Sequence, residues 1–127
     1  EGIRALNDAY NANPVSMGAA LDTLAGLSGR RIAVLGDMLE LGRDELSYHR
    51  SVVEHALSLQ LDALILTGCR FKKVRQAGEA CEWFSDPEDV VRFLSGFLKS
   101  GDLVLFKGSR ESRVERILQR LKEPDRA

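Results

Sequence analysis

The sequence predicts a Rossmann-like three-layer α/β/α sandwich with a mostly parallel sheet of about five or six strands. Three observations predict it. Short apolar runs alternate with longer helix-period segments along the whole chain. The run Arg31 to Gly36 is almost continuously apolar, as expected of a strand covered on both faces, and Asp62 to Thr67 reads as the next strand. The links between elements are short, which suits parallel strands joined by right-handed helical crossovers.

In order, Ile3 to Leu6 reads as a first strand. Asn7 to Ser16 then turns into a helix expected from Pro14 to Leu27. Pro14 suits a first helical turn, and Asn13 before it is a natural N-cap. Ser28-Gly29 closes that helix. After the strand Arg31 to Gly36, a loop bracketed by Gly36 and Gly42 leads to a helix expected from Asp44 to Leu59. Its stripe would be Leu46, Val53, Ala56 and Leu57. Asp62 to Thr67 is the third strand, Arg70 to Ala80 a short helix, and Cys81 to Phe84 a brief fourth strand. Ser85-Asp86-Pro87-Glu88-Asp89 is a strong helix start, with a cap, a first-turn Pro and first-turn acids. The apolar face of that helix runs from Val90 to Leu98. Asp102 to Phe106 is the last strand, and a final helix is expected from Glu111 to Leu121.

The 127 residues fit one domain with a single core. A hydrophobic content of 44% and a charged content of 29% are those of a globular protein. The net charge of -1 argues against general nucleic-acid or anionic-membrane binding. The late basic residues Arg70, Lys72, Lys73 and Arg75 read as a solvated face. Cys69 and Cys81 lack CxxC spacing, so neither metal nor disulfide use is expected, and a reduced cytoplasmic setting fits. No apolar run approaches the ~20 residues of a membrane span, and no secretory signal is visible. The chain starts at Glu1, directly before a strand, which suggests a domain excised from a longer protein.

Three loops follow strands and carry more polar side chains than turns need. In a parallel sheet they emerge at the same edge, where open α/β sheets place ligands. The first holds Asp8, Tyr10, Asn11, Asn13 and Ser16. The second, Gly36 to Gly42, offers the carboxylates of Asp37 and Glu40. On composition alone Asp37 would cap a short helix. The third, Lys107-Gly108-Ser109-Arg110, would put two cations and a hydroxyl at a helix N-terminus, where an anion, carboxylate or phosphate, is favoured. There is no GxGxxG or GxxxxGK[ST] pattern, so the chain cannot cradle a nucleoside triphosphate by itself. His49 and His55 are six apart on one helix and share no face, so no metal site is expected; His49 could face the strand ends but reads better as an exposed helix histidine. Tyr48 and Trp83 read as packing residues. Neither Ser16 nor Ser109 has an evident His partner for a nucleophilic triad.

The three motifs, Asp8-Ala-Tyr-Asn-Ala-Asn-Pro14 with Ser16-Met17, Val34-Leu-Gly-Asp-Met-Leu-Glu-Leu-Gly42 with His49 downstream, and Lys107-Gly-Ser-Arg110, occur in one order across nearly the whole chain. Together they resemble the C-terminal domain of the Mur ligases, the ATP-dependent amide-bond-forming enzymes of peptidoglycan synthesis. The resemblance implies a three-domain ligase in which residues 1–127 form the C-terminal domain. A missing central ATPase domain would carry the phosphate loop and most of the Mg2+ site. Another missing domain would bind UDP-N-acetylmuramoyl-tripeptide. The acceptor carboxylate would be activated as an acyl phosphate, and the incoming amine would be D-alanyl-D-alanine. By the same resemblance Asp8, Tyr10 and Asn11 would face ATP, while Asn13, Ser16, Lys107, Ser109 and Arg110 would bind the dipeptide or phosphates. Asp37 and Glu40 would be loop contributors. No catalytic set is complete in this chain, so the isolated domain is expected to fold without turning over. Two other readings stay open: a free-standing small-anion or nucleotide binding module, and a structural domain whose polar loops only cap helices.

Overall fold

The computed structural model describes residues 2–7 and 12–123. Strands and helices alternate: β1 (Arg4–Asn7), α1 (Pro14–Ala25), β2 (Arg31–Gly36), α2 (Glu45–Ser58), β3 (Ala63–Thr67), α3 (Cys69–Val74), β4 (Glu82–Phe84), α4 (Pro87–Phe97), β5 (Leu103–Lys107) and α5 (Val114–Lys122). Short 3-10 turns at Gly42–Asp44 and Arg110–Ser112 lead into α2 and towards α5. The sheet has five strands in the order β1-β5-β2-β3-β4, and every pairing is parallel. The expected three-layer architecture is therefore present, with five strands.

Alternation along the central strands splits the core in two. Ala33 and Leu35 of β2, Leu64 and Leu66 of β3, and Leu103 and Leu105 of β5 pack with α1, α2 and α3. Ile32, Val34, Ile65, Val104 and Phe106 face the other way, onto α4 and α5. This explains the unbroken apolar runs, since both faces of each central strand are covered.

Four local expectations need correction. Helix α3 covers Cys69–Val74 and not Arg70 to Ala80, since Arg75 turns to extended backbone. The buried face of α2 runs through His49, Val52, Val53 and Ala56, whereas Leu46 is 39% exposed. Helical phase places His49, not Leu46, over the sheet. Tyr48, expected to pack, is 41% exposed on the same helix. The last helix starts at Val114 rather than Glu111, because Arg113 adopts φ 64 and interrupts the helical run.

The arrangement positions a site. Helices α1, α2 and α3 lie on one face and α4 and α5 on the other. The chain therefore leaves the adjacent strands β2 and β5 towards opposite faces. Such a switch point opens a crevice outside the carboxyl ends of those strands, the usual ligand position in open α/β sheets.

Candidate functional site

At the switch point the ends of β2 and β5 touch. A Cβ on Gly108 would stand 2.9 Å from Gly36 Cα and 3.0 Å from Gly36 N, so glycine is required for this approach. One residue further on, the Ser109 N–H donates to the Asp37 carbonyl at 2.9 Å. The second and third polar loops are thereby joined through their backbones.

Asp37 is 6% exposed and sends its carboxylate to α3. It accepts the backbone N–H groups of Arg70 at 3.0 Å and Phe71 at 3.2 Å, and Arg70 Nη1 at 3.3 Å. The residue at the cap position of α3 is Gly68, which has no side chain to offer. Asp37, distant in sequence, supplies the capping carboxylate instead. The capping role expected of Asp37 is thus real, and the helix it caps is α3. Arg70 Nε also binds the Glu45 carboxylate at 2.7 Å. That guanidinium holds the Glu45 carboxyl below its usual range, and Glu45 in turn raises the affinity of Arg70 for its proton.

Between these loops lies a cleft of about 350 Å³, lined by Asp37, Thr67, Arg70, Ser85, Ser109 and Arg113 among others. Ser109 is 8% exposed, and its Oγ has no hydrogen-bond partner among the described residues. Its carbonyl is used by Ser112, which donates through Oγ at 2.6 Å and N–H at 3.0 Å. A buried hydroxyl left without a partner costs about 1–3 kcal/mol. Ser112 spends its only hydroxyl proton on the Ser109 carbonyl, so Ser109 Oγ is the buried free hydroxyl donor of this lining. The lining also holds Arg70 and Arg113 beside the carboxylates of Asp37 and Glu111, and it suits one small acceptor group.

The other expected residues fall as follows. Lys107 closes β5 and is 1% exposed, engaged within the protein. Arg110 is exposed and also engaged. Neither stands at the N-terminus of α5, which begins at Val114 after a 3-10 turn; the basic motif therefore gains nothing from that helix dipole. Asn13 and Ser16 form a capping box on α1: Asn13 Oδ1 accepts the Ser16 N–H at 2.9 Å, and Ser16 Oγ accepts the Asn13 N–H at 3.0 Å. They lie outside the cleft lining. Glu40 is exposed at φ 61 on its loop. Asp8, Tyr10 and Asn11 lie outside the described residues. Among the described residues no group of three or more His, Cys, Asp or Glu side chains could hold a metal ion.

Sequence reasoning missed two residues here. Arg70, read as part of a solvated basic face, bridges Asp37 and Glu45. His49, read as exposed, is fully buried and accepts the Met38 N–H through Nε2 at 3.0 Å. Its place in the apolar phase of α2 was the signal that could have found it.

Comparison with known proteins bears on this geometry. The family described as "Mur ligase, glutamate ligase domain" matches residues 1–110. The chain belongs to the Mur ligase family. The UDP-N-acetylmuramoyl-tripeptide–D-alanyl-D-alanine ligase of Escherichia coli (strain K12) is 33% identical over 93% of this chain and 26% of its own length. The ligase of the same name from Haemophilus influenzae is 34% identical, over 93% of this chain and 27% of its own length. Among solved structures, a MurF ligase from Thermotoga maritima in complex with ADP superposes with a TM-score of 0.85 at 29% identity, covering 95% of this chain and 28% of that one. This Mur ligase chain thus spans about a quarter of the length of the curated relatives it matches.

Proposed function

We propose that residues 1–127 are the C-terminal domain of a ligase that joins D-alanyl-D-alanine to UDP-N-acetylmuramoyl-tripeptide in peptidoglycan synthesis. Identity of 33–34% to curated ligases of that name, over more than nine-tenths of the chain, supports the assignment. The observation that carries the role of this domain is the buried, unpartnered Ser109 hydroxyl in the cleft between the β2 and β5 loops. In this reading Ser109 donates to the carboxylate of the incoming dipeptide, with Arg113 and Arg70 supplying positive potential at the wall. Lys107 and Arg110 frame the same loop, and Asn13 and Ser16 fix the start of α1.

ATP supplies the energy that activates the acceptor carboxylate. The cleft offers one buried free hydroxyl donor, that of Ser109, and the sequence has no phosphate loop. ATP and Mg2+ are therefore assigned chiefly to a central domain of the same polypeptide, with Asp8, Tyr10 and Asn11 contributing from this side. The tripeptide substrate is assigned to a further domain, the working compartment to the cytoplasm, and no turnover to this chain alone. No helix among the described residues is long and apolar enough to cross a membrane.

The test is titration of D-alanyl-D-alanine into the 15N-labelled chain, with Ser109→Ala alongside. Shifts should concentrate at residues 36–42, 67–70 and 107–113. Ser109→Ala should leave folding stability unchanged or slightly raised, because it removes an unpaired hydroxyl. It should weaken binding roughly 10- to 100-fold, the loss of one hydrogen bond to a charged group. Shifts scattered elsewhere, or binding untouched by the substitution, would sink the assignment of the cleft.

A further inference from the structure

His49 does more than fill space. Its Nδ1 lies 2.6 Å from the Glu45 carbonyl and its Nε2 lies 3.0 Å from the Met38 nitrogen. A backbone N–H can only donate, so Nε2 must be an acceptor and Nδ1 must carry the proton. The imidazole is therefore neutral and of one tautomer. Phe71 closes over it edge-on, with ring centroids 4.7 Å apart. Met38 sits between Asp37, which caps α3 and accepts the Ser109 N–H, and Leu39, which lines the cleft.

We propose that His49 is the positioning residue of the cleft: its neutral ring pins Met38, and its protonation releases the Asp37–Leu39 segment and with it Ser109. An imidazolium would present a second donor to the Met38 N–H. The pair would then have to separate or leave a buried donor unpaired. The surrounding charges are few. Asp37 on the loop and Glu45 on α2 favour the charged ring, and Arg70 on α3 opposes it. Lys73 of α3 acts on Glu45, and Asp22 of α1 is paired with His55 further along α2. Burial outweighs the rest and holds the pKa of His49 below its usual value. At neutral pH the latch is closed, and it opens on acidification below the ordinary histidine range.

The effect on ligation rests on the function proposed above, whereas the latch itself can be observed in this chain alone. Long-range 1H–15N spectra of the labelled chain from pH 8 to 5 read the His49 ring directly. The expected result is an unprotonated Nε2 at pH 7 and a single protonation below pH about 6.5. The Met38, Leu39 and Ser109 amides should move with the same midpoint. His49→Gln can place a non-titrating oxygen near the Nε2 position and should abolish the pH-linked shifts. In the complete ligase, KM for the dipeptide should rise on the acid side, approaching tenfold per pH unit, and the variant should remove that limb. Titration of His49 with those amides unmoved, or amide shifts that persist in His49→Gln, would overturn the proposal. Should the variant fail to fold, the wild-type titration alone decides. Coupled titration with no response to D-alanyl-D-alanine would leave the latch standing and defeat the assigned substrate.

Discussion

Replacing Asp37 by Ala removes one carboxylate that serves two backbone donors, one guanidinium and, weakly, the Cys69 thiol at 3.8 Å, and the cost of the stronger contacts can be worked out one by one. The N–H groups of Arg70 and Phe71 lose their acceptor, at 3.0 and 3.2 Å. A lost helix cap typically costs about 1 kcal/mol. The Phe71 bond is buried, so leaving its donor unpaired adds about 1–2 kcal/mol. Arg70 is 28% exposed at its side chain and keeps Glu45, so breaking its pair with Asp37 adds little after solvent screening. The sum is about 2–3 kcal/mol for Asp37→Ala and roughly half that for Asp37→Asn, which keeps one acceptor oxygen. For a chain of this size the Ala variant should lower Tm by roughly 6–15 °C. Urea unfolding followed by circular dichroism measures the total. The single Trp supplies a local reading, because Trp83 Nε1 donates to the Gly68 carbonyl at 2.8 Å, at the start of α3. Arg70 and Phe71 amide exchange should accelerate beyond the global change. A variant within about 0.5 kcal/mol of the parent, with those two amides still protected, would refute the capping role.

Two further substitutions probe the frame. Gly108→Ala would drive a Cβ into the Gly36 backbone, which no rotamer change can relieve. It should cost about 1–3 kcal/mol and displace the Ser109 amide signal, both measurable on the purified chain. Asp102 is 2% exposed and accepts from Arg30 Nε and Nη2, both at 2.9 Å, and from the Lys99 N–H at 2.8 Å. The bond from Arg30 holds the Asp102 carboxyl below its usual range. The unfolded chain therefore binds this proton first as pH falls. The stability that Asp102 confers is complete above pH about 4 and is lost as pH falls through its folded value. Asp102→Asn should cost about 2 kcal/mol at pH 7 with partial exposure of Arg30 taken into account. The gap from the parent in urea midpoint should close towards pH 3; a gap independent of pH would contradict the assignment.

The fold was legible in the sequence because its signals are local and redundant. Arg31 to Gly36 read as a doubly covered strand and Asp62 to Thr67 as the next strand from their apolar runs, and Asp86-Pro87 announced α4 through a cap that the structure shows accepting the Glu88 N–H at 2.9 Å. The candidate site was legible only in outline. That Gly36–Gly42 and Lys107–Arg110 meet follows from parallel topology, and the Ser109–Asp37 bond bears this out. What the side chains do there depends on partners far away in sequence. Arg70 looked like one of several surface cations until α3 was placed against Asp37. His49 looked polar and hence exposed, although the Met38 N–H satisfies its ring inside the core. Arg113 broke the expected helix at a backbone conformation that no periodicity announces.

The three ties at the sheet edge act together. Asp37 is held to α3 by its carboxylate, Met38 to α2 by His49, and the β5 loop to Asp37 by the Ser109 N–H. Each fixes the backbone of a cleft-lining segment through an element buried in the core, so the Ser109 hydroxyl is carried on a rigid frame. A donor held this way loses little conformational freedom on binding, and more of its interaction with an anion appears as affinity. The hydroxyl stays buried and unpaired in the folded chain. Loosening any one tie should therefore weaken anion binding without touching an atom that contacts the ligand. Of the three, only the tie through His49 runs through an imidazole, so under the proposal above it alone loosens on acidification below the ordinary histidine range.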